Sequence, residues 1–343
     1  MSGEPSTAER ILRILRDAAG PVSGPDIARR LSISRAAVRK HVRALVADGY
    51  RIGSENPAGY RLEAPSTRLL PAEIARHLTT KRIGRIIHHF DSIDSTNRHA
   101  MDLARRGAGE GEVVVAEVQT AGRGRLGRSF FSPEGVSFYG SIILRPDIPP
   151  ARAPQITLLA GLAVAEAVEK HAGIRPGLKW PNDVRLGPRK VAGILTEMES
   201  EADRVLHVVC GPGINLNVPA AEFPPELRAI ATSILAATGR SVDRAAFAAD
   251  LFGSFERLYD EFLSRGLGRL REHWDAYSVL NGEWVSVEGA GETLEGRVLG
   301  IDEEGALRLE GRQGRLVRAI AGDVTLKKEE ATGYGLRATG KKP

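Results

Sequence analysis

Residues 119–128 read QTAGRGRLGR, three glycines and three arginines interleaved directly after the apolar run Val113-Val114-Val115-Ala116. A short apolar run bounded by turn residues reads as a buried strand. The glycines let the backbone bend and approach a ligand with no Cβ in the way. Arg123, Arg125 and Arg128 add three permanent positive charges whose planar forks suit carboxylate or phosphate oxygens. The stretch therefore reads as a cationic loop at a strand end, shaped for a small anion. Residues 122–129 also spell G-x-x-x-x-G-R-S, one residue from the nucleotide-binding P-loop pattern. That reading fails twice. Arg128 stands where the lysine belongs, and the turn Ser132-Pro133-Glu134-Gly135 leaves no helix whose N-terminal amides could cradle phosphate. An RGG-type nucleic-acid segment would repeat within low-complexity sequence, whereas this is a single loop between two apolar strands.

Working outward, residues 65–279 read as one α+β domain with helices on a largely antiparallel or mixed sheet. Helices are expected over 71–78, after Asp94-Ser95-Thr96, over 154–171, 246–265 and 268–277. Strands are expected over 86–90, 137–144, 178–180, 183–186, 191–198 and 205–211, with Gly187-Pro188 turning the 183–186 strand into the next. If those two strands pair, Asp183 and Lys190 come within reach of each other. Residues 211–217, GPGINLN, read as a glycine turn presenting two amides. From residue 280 short strands alternate with Gly-rich turns (284–287, 293–301, 306–309, 314–319 and 324–326), which predicts a small all-β barrel over 280–328. The tail 329–343 has no apolar period and is expected to be disordered.

Residues 1–64 read as three helices and a hairpin. A helix over 9–17 is followed by Ser23-Gly24-Pro25-Asp26, a helix start with Pro in the first turn. After Ser32-Ile33, Ser34 can cap a third helix over 35–48 that Gly49 ends. Two helices across so short a turn form a helix-turn-helix, and the strands around 50–52 and 60–62 supply a wing. The third helix is basic. Ser34, Arg35, Ala36, Arg39, Lys40 and Arg43 form the face expected to enter a DNA major groove.

The charge distribution agrees with that division. Of the net charge of +5, residues 1–64 carry +4, from eleven Lys and Arg against seven Asp and Glu. A polyanion is therefore met by the N-terminal segment. The single cysteine, Cys210, cannot form an internal disulfide and sits in an apolar strand, VLHVVCGPG. A charged N-terminus and the lack of any run long enough for a membrane span predict a cytoplasmic protein.

Five segments in this order, SIDSTN (92–97), QTAGRGRLGR (119–128), KWPND (179–183), RKVAGIL (189–195) and GPGINLN (211–217), together resemble the biotin–protein ligases, specifically the bifunctional ligase/biotin-operon repressors. The resemblance runs to about Lys327. It implies a winged helix-turn-helix, a class II synthetase-like ligase domain with a mixed sheet, and an SH3-like C-terminal barrel. It also implies joining of biotin to ATP, transfer from biotinyl-5′-AMP to one lysine of a carboxyl carrier domain, and operator binding as an adenylate-bound homodimer. By the same resemblance Ser95, Thr96, Asn97 and Gln119 recognise the ureido headgroup. Arg123, Gly124 and Arg125 fold over biotin and phosphate, while Arg128 and Lys179 meet the phosphates of ATP. Lys190 sits on the biotin carboxylate and α-phosphate, and Asp183 orients or deprotonates the incoming lysine. Catalysis thus falls to Lys190, Asp183 and Arg125. Asn215 is expected near the triphosphate and Mg²⁺, with no direct protein ligand to the metal assigned. Phe130 stands where several relatives carry Trp beside adenine, and Lys327 where some carry Arg. Three other readings fit the same text: a lipoate–protein ligase, a ligand-sensing repressor without turnover, and a ligase whose winged helix is not regulatory.

Overall fold

The computed structural model describes residues 6–55, 58–289 and 292–327. The wing tip at 56–57 and the tail expected over 329–343 lie outside them. Ser6 caps α1 (Thr7–Asp17) in a reciprocal box with Glu9, and Ser23 caps α2 (Gly24–Leu31) with Pro25 in its first turn. Ser32, in a left-handed conformation at φ 55°, ends α2; Ser34 then caps α3 (Arg35–Ala47) through a 3.1 Å bond from the Ala37 amide. Ile11, Leu15, Ile27, Val38 and Leu45 close a core of their own. β1 (Arg51–Glu55) and β2 (Gly59–Ala64) pair antiparallel as the wing. Ser34, Arg35, Ala36, Arg39, Lys40 and Arg43 are all exposed on α3.

A short helix, α4 (Pro71–Ile74), joins this unit to the next. It ends four residues before the expected 78 because its last turn tightens into i→i+3 bonds, such as His77 N–H to the Ile74 carbonyl. Glu73 on α4 is buried and binds Arg16 of α1 and the Tyr50 hydroxyl, which donates to it over 2.7 Å.

The central sheet contains β3 (Ile87–Ile93), β4 (Val113–Gln119), β5 (Phe138–Leu144), β6 (Gly177–Lys179), β7 (Asp183–Leu186), β8 (Arg189–Ser200) and β9 (Val205–Ile214). Their order is β3-β4-β5-β9-β8-β7-β6, with only β3 and β4 parallel. A parallel pair needs a crossover, and α5 (Thr96–Arg105), capped by Ser95, provides it. Ala100 and Ala104 of α5 pack on Val114, Ile143 and Val209, covering one face. The other face carries α6 (Gln155–Ala172), α7 (Ile234–Thr238), α8 (Arg244–Arg265) and α9 (Gly268–Tyr277). The α6 helix is buried nearly all round, which explains its Ala- and Leu-rich text. Helix α7 was not legible as a periodic segment, being only five residues long.

At the C-terminus β10 (Trp284–Glu288), β11 (Thr293–Ile301), β12 (Leu307–Glu310), β13 (Leu316–Ala319) and β14 (Asp323–Leu326) form an antiparallel sheet ordered β13-β12-β11-β10-β14. The pairings among the described residues join five strands with β13 and β14 at the ends of the order, and no β13–β14 pairing among them closes the expected barrel. Val285, Leu307 and Leu309 share the central domain's core, and the Trp180 indole N–H donates to the Gly305 carbonyl at 3.0 Å. This docking brings β14 beside the loop that follows β4.

Candidate active site

The loop after β4 folds as a tight hairpin. The Gly124 amide donates to the Arg128 carbonyl at 2.7 Å and the Phe130 amide to the Gly122 carbonyl at 2.9 Å. Its tip is Leu126, left-handed at φ 55° and 75% exposed, followed by Gly127 at φ 74°. An apolar, branched side chain in that conformation is strained. Beneath the hairpin lies a cleft of about 320 Å³, walled by Arg123, Arg125 and Arg128 on one side and by Lys179, Asn182, Asp183 and Lys190 on the other. Asp323, Val324 and Thr325 of β14 close its end.

Lys190 Nζ stands 2.5 Å from Asp183 Oδ1 on the cleft floor. The two are not direct cross-strand partners: Asp183 faces Gly193, while Arg185 faces Lys190. Val184 pairs with Ala192 and Arg185 with Lys190, so Val191 is an extra, bulged residue in β8. In a regular strand residues 190 and 193 would point to opposite faces. The bulge puts Lys190 on the face of Gly193, where a Cβ would come within 2.8 Å of the ammonium. Arg125 Nη1 donates to Asn182 Oδ1 at 3.1 Å, and the Asn182 amide donates on to the Ile194 carbonyl at 3.0 Å. Arg128 pairs with Asp323 across the domain boundary. Burial, with Arg185 nearby, lowers the pKa of Lys179.

A smaller pocket opens deeper in, lined by Ser95, Thr96, Asn97, Gln119, Arg123 and Phe130. Gln119 Oε1 accepts from the Thr96 amide at 2.9 Å and its hydroxyl at 3.1 Å, while its Nε2 donates to Ser132 Oγ at 3.0 Å. Ser95 has a second duty as the cap of α5. Gly211 and Gly213 line this pocket and lie inside β9, opposite Leu195 and Gly193. The glycine turn expected at 211–217 is therefore corrected. These glycines bend nothing; they leave room. A Cβ at Gly213 would sit 2.7 Å from the Phe130 ring, and one at Gly211 would fall on Asn97 Oδ1. Gly211→Ala should accordingly dislodge Asn97 and raise the KM for the headgroup-bearing substrate about 10-fold, the scale of one lost buried hydrogen bond, leaving the KM for ATP unchanged in steady-state assays.

Asn215 does not join the cleft. It lines neither cavity; it is buried, its Nδ2 donating to the Thr232 carbonyl at 3.0 Å, while its Oδ1 has no hydrogen-bond partner among the described residues. Phe130 lines both cavities, edge-on to Tyr139. Lys327 lies outside both linings, 4.0 Å from Glu295. Cys210 is fully buried and its thiol is pushed up to about 12 by that burial, so it offers no thiolate. Sequence reasoning missed Glu197, Asp323, Ser132 and Ser141. Glu197 follows Gly193 and Leu195 at period two, a signal that was available; nothing in the sequence places Asp323 opposite Arg128.

Residues 89–215 match the biotin/lipoate A/B protein ligase family, residues 7–61 an HTH domain and residues 282–327 the biotin protein ligase C-terminal domain. The chain is 40% identical over 305 residues to the bifunctional ligase/repressor BirA of Bacillus subtilis, covering 89% of this chain and 94% of the relative. It is 32% identical over 308 residues to BirA of Escherichia coli, covering 90% and 94%. Its fold is similar to that of the Aquifex aeolicus biotin protein ligase in complex with biotin and ATP, with a TM-score of 0.62 and 28% identity over 71% of this chain and 99% of the other. The chain belongs to the biotin protein ligases, in the branch that carries an N-terminal helix-turn-helix.

Proposed function

We propose that the chain joins biotin to ATP, transfers the biotinyl group to a carrier lysine, and represses transcription when the adenylate is bound. A biotin carboxylate oxygen attacks the α-phosphate of ATP, and pyrophosphate leaves. Two anions must therefore be held together, so the protein's task is charge neutralisation and alignment. Lys190 bridges the carboxylate and α-phosphate, Arg123 and Arg125 cover them, and Arg128 and Lys179 take the outer phosphates. ATP enters as its Mg²⁺ complex. Ser95, Thr96, Asn97 and Gln119 hold the ureido ring in the inner pocket, and Phe130 and Gly124 shape the wall between it and the cleft.

In the second half-reaction the carrier lysine attacks the adenylate carbonyl and AMP departs. A free lysine ammonium has a pKa of about 10.4 and must shed a proton first. Asp183 is placed to accept it or to orient the amine, and neither step calls for a protein nucleophile. The Lys190–Asp183 pair beneath the arginine hairpin carries this reading. Its test is biotin-dependent ATP–pyrophosphate exchange, followed by transfer to a carboxyl carrier domain. Exchange driven by lipoate and not by biotin would make the chain a lipoate ligase.

The exposed basic face of α3 supports operator binding; assembly of a homodimer on the adenylate belongs to the same proposal. Among the described residues no helix is long and apolar enough to cross a membrane, in keeping with action in the cytoplasm. Arg39→Ala should weaken operator binding by about 1–3 kcal/mol if Arg39 reads a base. If it contacts phosphate alone, the slope of log K against log salt should fall by about 0.9. Equilibrium DNA binding across a salt series separates these, and affinity that ignores biotin plus ATP would argue against a corepressor role.

A further inference from the structure

Glu197 bonds both to Asn97, which lines the inner pocket, and to Arg123 of the arginine hairpin. It sits on β8 on the pocket-facing side, two residues beyond Leu195. Its Oε2 accepts from Asn97 Nδ2 at 3.0 Å, and Oε1 lies 3.1 Å from Arg123 Nη2. The Arg123 pair by itself is exposed enough to be worth little. The buried Asn97 changes that. Its amide nitrogen has two hydrogens, and both are taken, one by Glu197 and one by the Leu195 carbonyl at 3.0 Å. With Nδ2 held there, the amide cannot flip. Oδ1 is fixed beside Gly211, with Ser141 Oγ at 2.6 Å and a second lone pair left over.

We propose that Glu197 is a positioning residue with two arms. One locks the Asn97 amide so that its oxygen, never its NH₂, meets an N–H of the substrate's headgroup; the other latches Arg123 so that the hairpin closes over the pocket. The inner pocket thereby selects a ring that presents N–H donors, as a cyclic urea does. This deepens the ligase reading above and rests on it for the identity of the substrate.

Two variants of the full chain separate the arms. Glu197→Ala removes both. Glu197→Gln can keep its one oxygen as the acceptor for Asn97, which turns an amide NH₂ donor toward Arg123. For Glu197→Ala the KM for biotin in pyrophosphate exchange should rise about 10- to 100-fold, the range for a lost hydrogen bond to a charged group, with the KM for ATP within twofold of wild type. For Glu197→Gln the KM for biotin should stay within about threefold, yet biotinyl-AMP should escape about 10-fold faster, read by hydroxylamine trapping of the released adenylate. Limited trypsin cleavage at Arg123, Arg125 and Arg128 without any ligand reads the latch independently, and both variants should be cut about 10-fold faster there. Equal losses for biotin and ATP in both variants would overturn the amide lock and leave a structural role only. Unchanged hairpin cleavage would overturn the latch. If the wild-type chain shows no biotin-dependent exchange, the substrate reading falls, while the ligand-free cleavage still decides the latch.

Discussion

Lys190→Ala should lower biotin-dependent ATP–pyrophosphate exchange about 10²–10³-fold, the usual effect of removing one preorganised charge-stabilising donor. The geometry explains why the loss is not spread over neighbouring cations. Lys190 reaches the cleft floor only because of the Val191 bulge, and its ammonium neutralises Asp183 at 2.5 Å. Without it Asp183 keeps its charge and faces the incoming carboxylate and phosphate, so attraction is replaced by repulsion. The defect should appear in turnover more than in biotin affinity, because the headgroup pocket is built from other residues. Arg125→Ala should fall in the same range, since Asn182 holds that guanidinium over the same floor. Near-normal exchange in either variant would refute the assigned roles.

Glu117→Gln should destabilise the central domain by about 3–5 kcal/mol, the range for breaking one side of a buried ion pair. Glu117 lies on β4, two residues before Gln119, and is 2% exposed. It binds Arg244 at 2.8 Å, the Leu69 amide at 2.7 Å and His89 at 3.2 Å. Arg244, 4% exposed, also donates to the Ser137 and Thr67 carbonyls, so the neutral variant would leave a buried guanidinium without a counter-charge. Burial alone would raise the Glu117 pKa; the bonds from His89, Arg244 and the Leu69 amide outweigh it and hold the carboxyl down to about 2. Its unfolded value is near 4.3. The stabilisation is therefore complete above about pH 4.3 and fades as the pH falls toward 2. Urea denaturation at neutral pH reads the loss, and the gap between wild type and Glu117→Gln should narrow in acid. Glu117→Gln combined with Arg244→Met should recover part of it, because the stranded charge is then gone.

The helix caps at Ser23, Ser34 and Ser95, the strands around Val113 and Thr293, and the basic face of α3 were all legible, because each depends on neighbours within a few residues. Misreadings share the opposite cause. GPGINLN looked like a turn, since glycine is ambiguous between bending a chain and making space within a strand. For Asn215 the motif could not say that its Nδ2 is taken by Thr232, a partner 17 residues away, while its Oδ1 is left without one.

Local chemistry in the chain thus determined the division into a basic helix-turn-helix, an α+β domain and a β-rich end and marked the arginine loop as an anion site, while the resemblance to the biotin–protein ligases joined KWPND and RKVAGIL to it. Tertiary structure alone decided how that set is aimed. The Val191 bulge turned Lys190 toward the cleft, β14 brought Asp323 to Arg128, and β8 carried Glu197 to Asn97 and Arg123. Register and domain docking arise from packing summed over whole faces, and no run of a few residues encodes which strand position an extra residue will reverse.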